Sequence, residues 1–464
     1  MCKSSFLFYC HVNWLSFLYY LPFGYQYDIL NIAQSVIEDF VTTNLRRRYG
    51  IHLTKTSETF LWAFIVSLSA IGNIVGCLIA SRVSDRIGRR KGLLWIANPV
   101  GIVSGVIQIF TESSDSVELL MVSRFITGIK CGLGSSIAAV YLLESCKTDM
   151  RGVTGGIMDF WSTVGSVLES FLGMPMLLGT SNLWGLLLSL DFVCCVCSVF
   201  TMPFYPESAR YSLIAKKDVT ATENSIKFFL GTSCDVQRIM DNIYTEEQQD
   251  YNDASALNVW SRIWMYKEVV MLSALIGLLA CLSGYQGIGA YSTPMLEAAW
   301  IPHYTATLYT LIMSTSDIIG SLLAIVLHQF VPRRMALLST LATVAMGNFV
   351  LFICLVHPKL LKFTVTWWFK YLGSCAIFVL GVCTTMTFYP LVEIVAVELS
   401  PLPIRALATG VSLGSISAGD LISKMAIWPL YVSIGTEAVA NLSYLMPPED
   451  VSPLRSKATI REFR

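Results

Sequence analysis

The fold turns on residues 58–110, ETFLWAFIVSLSAIGNIVGCLIASRVSDRIGRRKGLLWIANPVGIVSGVIQIF. Two apolar runs, 58–81 and 92–110, flank a ten-residue loop that holds Arg82, Arg86, Arg89, Arg90 and Lys91. A helix needs ~20 mostly apolar residues to cross a bilayer, and each run is about that long. The texture repeats along the chain. Of 464 residues, 54% are hydrophobic and 14% charged, where a soluble domain carries about 25% charged residues. Lys+Arg and Asp+Glu number 32 each, so no net field recruits a charged partner. Disorder, nucleic-acid binding and most soluble enzymes are excluded. The expected class is an all-α membrane protein.

Working outward from that pair gives eleven spans, near 5–24, 58–81, 92–110, 118–143, 153–178, 183–204, 268–291, 305–328, 335–356, 371–397 and 406–434. The first run, Phe6 to Phe23, lacks a small-residue cleavage site and reads as a span rather than a signal peptide. With the N-terminus cytoplasmic, the inner loops hold 16 basic residues and the outer ones 7, which sets the expected orientation. Arg46–Arg48 on the outer side run against that bias. One long polar loop, 205–266, divides the chain. The expected organisation is a bundle over 1–204, a cytoplasmic loop with short helices over 205–266, a bundle over 267–434 and a polar tail over 435–464. No twelfth run follows the eleventh, so about eleven transmembrane helices are expected.

The halves repeat. Glu144 precedes Arg151 by seven residues, as Glu398 precedes Arg405, and Arg89-Arg90 is matched by Arg333-Arg334. The offsets are 254 and 244 residues. Two similar bundles in parallel order point to a transporter that rocks about a central site.

These residues carry a resemblance. Ser81 to Lys91 resembles the loop signature of the major facilitator superfamily, with serine for its first glycine, and Arg124, Gly128 and Gly132 resemble its fourth-span pattern. Pro206-Glu207-Ser208-Ala209-Arg210 is similar to the PESPR motif of the sugar-porter branch. Phe23-Gly24-Tyr25, Leu282-Ser283-Gly284 and Tyr291-Ser292-Thr293 match animal facilitative glucose (hexose) transporters. The resemblance spans about 23–434 and implies a two-bundle fold of the major-facilitator type. It also implies a cytoplasmic latch built from Asp85, Arg89, Arg90, Arg124, Glu144, Arg151, Arg333, Arg334, Glu398 and Arg405, and an external gate at Tyr291.

The site implied by the resemblance departs from the family. Asp159, Ser314, Glu393, Ser417 and Asp420 stand where the family carries sugar-binding amides or tryptophans, and only Gln286 keeps an amide. Helical periodicity supports a polar site independently of the alignment. Asp159, Ser162, Thr163, Ser166, Glu169 and Ser170 form one stripe, as do Thr310, Ser314, Asp317 and Ser321. A carboxylate at the bilayer centre costs ~2.5–3.5 kcal/mol on insertion scales, so such stripes should face a cavity. Asp420 and Lys424 are spaced to pair, Lys130 or Arg124 to neutralise Asp159 or Glu169, and Asp191 stands nearly alone. Gly284, Gly287, Gly289 and Pro294 in span 7, and Pro390 in span 10, mark broken helices.

Three functions remain open. The first is facilitative transport, by uniport, of a hexose or similar small polyol. The second is a carrier of a cationic or zwitterionic solute, which could be proton-linked. The third is a non-transporting sensor or inactive truncated product. Proton-coupled relatives carry an aspartate where this chain has Gln26, and an amide does not titrate. Thirteen scattered cysteines offer no metal-ligand spacing, and no catalytic signature is present. The expectation is a plasma-membrane protein with no enzyme activity, cofactor, metal or nucleic-acid partner.

Overall fold

The computed structural model describes residues 3–147, 150–231, 234–254, 264, 266–282, 285–298, 303–360, 375, 378–400 and 404–443. In the order of the chain, its helices are α1 (Lys3–Tyr27), α2 (Gln34–Tyr49), α3 (Lys55–Ile87), α4 (Arg89–Ser113), α5 (Val117–Ser145), α6 (Arg151–Leu172) and α7 (Trp184–Phe204). Three short helices follow, α8 (Ala209–Ile214), α9 (Val219–Leu230) and α10 (Val236–Ala254). The second half holds α11 (Lys267–Leu282), α12 (Tyr285–Ala298), α13 (His303–Phe330), α14 (Arg333–Leu360), α15 (Phe378–Leu399) and α16 (Arg405–Ser443). No strand occurs among the described residues. By length and composition α3, α4, α5, α7, α13 and α15 are able to cross a membrane. α6 is too polar to count on that ground alone, because its stripe of Asp159, Ser162, Thr163, Ser166 and Glu169 faces inward.

Local signals fix the helix ends. The Thr54 side chain accepts from the Ser57 N–H at 3.3 Å to start α3, Ser116 does the same for Leu119 at 3.2 Å in α5, and Asp218 for Ala221 at 3.0 Å in α9. Some spans break ahead of a proline, whose ring meets the carbonyl four residues back, while Pro22 in α1 and Pro429 in α16 lie inside continuous helices. α12 kinks at Tyr291, three residues before Pro294 (φ −131°, ψ 18°). α15 opens into a π-turn over Thr384–Phe388 ahead of Pro390, and α4 does so over Leu93–Ala97 ahead of Pro99. The breaks in spans 7 and 10 were expected from sequence; the one in α4 was not. α16 runs to Ser443, nine residues past the expected end of its span.

Packing is closest where glycines let backbones meet. A Cβ on Gly128 of α5 would lie 2.1 Å from the Ser69 carbonyl of α3, and one on Gly72 2.1 Å from the Phe125 carbonyl. This is the small-residue crossing typical of membrane helices. The halves meet along two seams, α3 against α16 and α6 against α13. One core cluster (Phe8, Val12, Leu93, Tyr141, Met202, Tyr205, Phe229) lies at the end that carries loops 82–91 and 205–266, called here the basic end. Another (Tyr25, Ile37, Trp62, Leu120, Trp184, Tyr291) lies at the opposite end and takes in α12 of the second half. Helices α8–α10 have a small core of their own, with Leu213, Ile226, Met240 and Ile243.

Arg47 and Arg48 are explained by their partners at the opposite end. Arg47 pairs with Asp115, Arg48 donates to the Ser114 carbonyl at 2.6 Å, and Tyr49 donates to Glu118 at 2.5 Å. They clip α2 onto the α4–α5 turn.

Candidate functional site

Between the halves lies a cavity enclosing about 1150 Å³ of space, its open mouth included. All six members of the α6 stripe line it, opposite Thr310, Ser314 and Asp317 of α13. The two stripes touch: Ser170 Oγ and Ser314 Oγ are 3.0 Å apart, as are Thr163 Oγ1 and Ser321 Oγ. α1 contributes Tyr20, Phe23, Gly24 and Tyr27, followed by Asp28 and Asn31. α12 adds Tyr285 and Gln286, and α15 adds Tyr389 and Pro390.

Of the expected substrate-binding residues, Asp159, Gln286 and Ser314 come together in this lining. Gln286 donates to Tyr389 at 3.0 Å and its Oε1 has no partner; it is 2% exposed. Ser314, besides meeting Ser170, donates to the Thr310 carbonyl at 3.2 Å. Ser417 and Asp420 do not reach the lining. Ser417 donates to the Leu413 carbonyl of its own helix at 3.2 Å, and Asp420 pairs with Lys424 at 3.0 Å. The side chain of Glu393 lies outside the described residues.

The substrate-binding residues expected from sequence leave out Glu169, Asp28 and Asp317, which also line the cavity. Glu169 is 3% exposed and its Oε2 has no hydrogen-bond partner. Asp317 accepts from the Tyr285 hydroxyl at 2.8 Å. The stripes on α6 and α13 already contained two of the three; Asp28 needed the fold to bring it in.

The opposite end is closed by groups from both halves. Asn31 donates to the Gly289 carbonyl at 2.7 Å and to Ser292 at 2.8 Å, and accepts from the Thr293 N–H at 3.2 Å. Lys424 reaches Asp28 at 3.4 Å, Asp420 at 3.0 Å and the Tyr27 carbonyl at 3.0 Å, and sits 4.5 Å from the Tyr27 ring centroid. Tyr291 is fully buried and donates to the Lys424 carbonyl at 3.0 Å.

The basic end holds a second cluster. Arg89 binds Glu144 through two hydrogen bonds of 3.1 Å and reaches Asp85 at 3.7 Å. Ser208 donates to Glu144 at 2.7 Å, and the positive charges of Arg405 and Arg210 act on the same carboxylate. Arg90 donates from its N–H to Glu207 at 2.9 Å and from its guanidinium to the Tyr205 carbonyl at 2.9 Å. Arg405 donates to the Ser400 carbonyl at 3.3 Å, Arg151 is buried, Arg334 and Glu398 are exposed, and the Arg333 side chain lies outside the described residues. Burial and the Glu207 carboxylate push the Tyr211 phenol up, while the Arg89 charge 5.4 Å from the ring centroid opposes them.

Glu144 binds Arg89 and Ser208, from the neighbouring helix and the PESAR segment. Two expectations need correction. Arg124 is no part of this cluster. It lies twenty residues from Glu144, about 30 Å along α5 at 1.5 Å per residue, and donates to Gln26 at 2.8 Å and Ser69 at 3.1 Å. Lys130 pairs with Asp191 at 2.8 Å, not with Asp159 or Glu169. Asp191 sits at the break within α7 between Ser189 and Phe192, where sequence spacing gave it no visible partner.

Residues 14–441 match the family described as Sugar (and other) transporter. The chain is 28% identical over 363 residues to facilitated glucose transporter member 3 of sheep (Ovis aries), covering 77% of this chain and 71% of that protein. It is 26% identical over 359 residues to member 7 of mouse (Mus musculus), covering 75% and 69%. Among solved structures, the proton:xylose symporter XylE bound to 6-bromo-6-deoxy-D-glucose superposes with a TM-score of 0.78 at 18% identity, covering 95% of this chain and 91% of that one. The inward-open form of the xylose transporter XylE from E. coli gives 0.64 at 17% identity, covering 94% and 96%. These structural matches establish the major-facilitator fold.

Proposed function

The chain belongs to the Sugar (and other) transporter family, and from that membership we propose that it carries a hexose or similar small polyol across the membrane by facilitated transport. The chain is a transporter and not an enzyme. The relatives named facilitated glucose transporters favour a hexose. The observation that carries the mechanism is the polar cavity at the seam of the two halves, closed at one end by groups from both of them. At one end Asn31, Asp28 and Lys424 tie α1 and its following loop to α12 and α16. At the other Arg89, Glu144 and Ser208 tie α4, α5 and the PESAR segment together. A cavity between two bundles that is clasped across both at one end suits alternating access, since releasing that clasp while the other end closes admits solute from one side only, and the Arg405 charge acting on Glu144 is the link between halves at the basic end.

Residues 1–204 and 267–434 are the two moving bundles in this reading, and Tyr291 with Asn31 forms the gate on the external side. The basic end faces the cytoplasm of a plasma-membrane protein, as the bias of 16 basic residues to 7 favours. Within the cavity Asp159, Gln286 and Ser314 bind the solute. Uniport is favoured by Gln26, which accepts from Arg124 at 2.8 Å and donates to the Leu188 carbonyl at 2.6 Å. An amide in that position holds the arginine without exchanging a proton.

The test is flux of a panel of labelled solutes into proteoliposomes holding the purified chain. Saturable entry of a neutral hexose, stopping when inside and outside concentrations match, is the expected result. Absence of entry for every hexose and polyol tested overturns the reading.

A further inference from the structure

The charge balance of the cavity is unlike that of a site built only for neutral hydroxyls. Its lining includes four carboxylates, Asp28, Asp159, Glu169 and Asp317, and neither lysine nor arginine occurs among the described lining residues. Of the nearby cations, Lys424 meets one lining carboxylate, Asp28, and no ion pair to Glu169 occurs among the described residues. Lys130 is paired with Asp191. Lys424 is shared between Asp28, Asp420 and the Tyr27 carbonyl. Arg124 spends both terminal nitrogens on Gln26 and Ser69.

A second observation shows where a ligand is missing. Glu169 Oε2 and Gln286 Oε1 are buried, without hydrogen-bond partners, and belong to residues that line the cavity from opposite halves. Both atoms are acceptors, so both call for donors. A hydroxyl would serve either. A cation would in addition pair with the buried carboxylate, whose hydrogen bond from the Asp28 backbone leaves Oε2 unmet.

From this, and resting on the sugar reading above, we propose that the cavity takes a small polyhydroxylated solute bearing one protonated amine, the chemistry of an amino sugar. The ammonium group binds Glu169, with the remaining negative charge of the lining supporting it. Hydroxyls fill the acceptors and donors of Gln286, Ser166 and Thr310. An ammonium carries three donors and no acceptor, matching the unpaired Glu169 oxygen, and charge-assisted bonds of this kind are about twice as strong as neutral ones.

The experiment uses the full chain in proteoliposomes, buffered so that the amine is protonated. Counterflow of labelled 2-amino-2-deoxyglucose is compared with glucose and with the uncharged N-acetyl derivative. The expected result is a kcat/KM for the amino sugar at least tenfold above both neutral solutes, and a ratio that falls at least tenfold in Glu169→Gln. Should that variant fail to fold, the wild-type chain in detergent gives a second readout. The amino sugar should raise its Tm at concentrations where the N-acetyl derivative does not. Entry of glucose with equal or weaker handling of the amino sugar overturns this inference and leaves the sugar reading standing. An unchanged ratio in a folded Glu169→Gln protein does the same. Entry of none of the three overturns both.

Discussion

Replacing Lys424 with methionine removes a cation that joins α1 and the residue after it to α16 across the cavity mouth. Its side chain is 1% exposed, Asp420 is 4% and Asp28 17%, so solvent screens the triad little. Removing one partner of a buried pair leaves an uncompensated charge and costs ~3–5 kcal/mol. That cost falls on the state in which the opposite end is closed, because Asp28 follows α1 and separates from α16 when the mouth opens. At about 1.4 kcal/mol per decade, 3 kcal/mol shifts the closed-to-open balance by roughly two orders of magnitude. A cysteine at Met313, which lines the cavity, reports on it. Labelling of Met313→Cys by an impermeant maleimide on intact cells should quicken by ~10²-fold in the Lys424→Met background. The triple variant Asp28→Asn/Asp420→Asn/Lys424→Met, with no orphaned charge, should return most of the way to the parent rate. Equal labelling in all three backgrounds, with unchanged Tm, would refute the argument that this triad holds the mouth shut.

Other outcomes follow from the same geometry. Glu144→Gln should lower Tm more than Arg334→Ala does, and the swap Arg89→Glu/Glu144→Arg should recover part of the loss while Glu144→Arg/Arg151→Glu does not; thermal unfolding in detergent separates these. Gly128→Leu puts a Cβ 2.1 Å from the Ser69 carbonyl and should abolish the monodisperse peak in fluorescence-detected size exclusion, whereas Gly134→Ala, with only Tyr19 at 3.5 Å, should keep it. Tyr291→Phe loses the bond to the Lys424 carbonyl and should lower Tm by the equivalent of ~1 kcal/mol. An imposed pH gradient without a solute gradient should drive no net accumulation in the wild-type protein, and accumulation would replace uniport with proton linkage.

The apolar spans were legible in the sequence, because each hydrophobic run and each cap acts locally, whereas α2 (Gln34–Tyr49) was not among them. The spans expected near 58–81, 92–110 and 118–143 are the cores of α3, α4 and α5. The kinks at Pro294 and Pro390 follow from a missing N–H and a ring clash. The stripes on α6 and α13 were legible too, since 3.6-residue periodicity places their polar groups on one face before any neighbour is known. Partnership was not legible. Glu144 binds Arg89, Lys130 binds Asp191 rather than Asp159, and Arg124 belongs with Gln26 at the far end of its helix. Each choice depends on which faces of distant helices meet, and glycine crossings such as Gly72 against Gly128 set those faces. Asp28 shows the same limit most clearly. It shares no helix with Lys424 and lies almost 400 positions away in the chain, so only the tertiary fold, with α16 seated on α3 and α12, brings the pair within 3.4 Å. A buried charge takes its partner from three-dimensional proximity, and one-dimensional spacing records that only when both groups sit on the same helix.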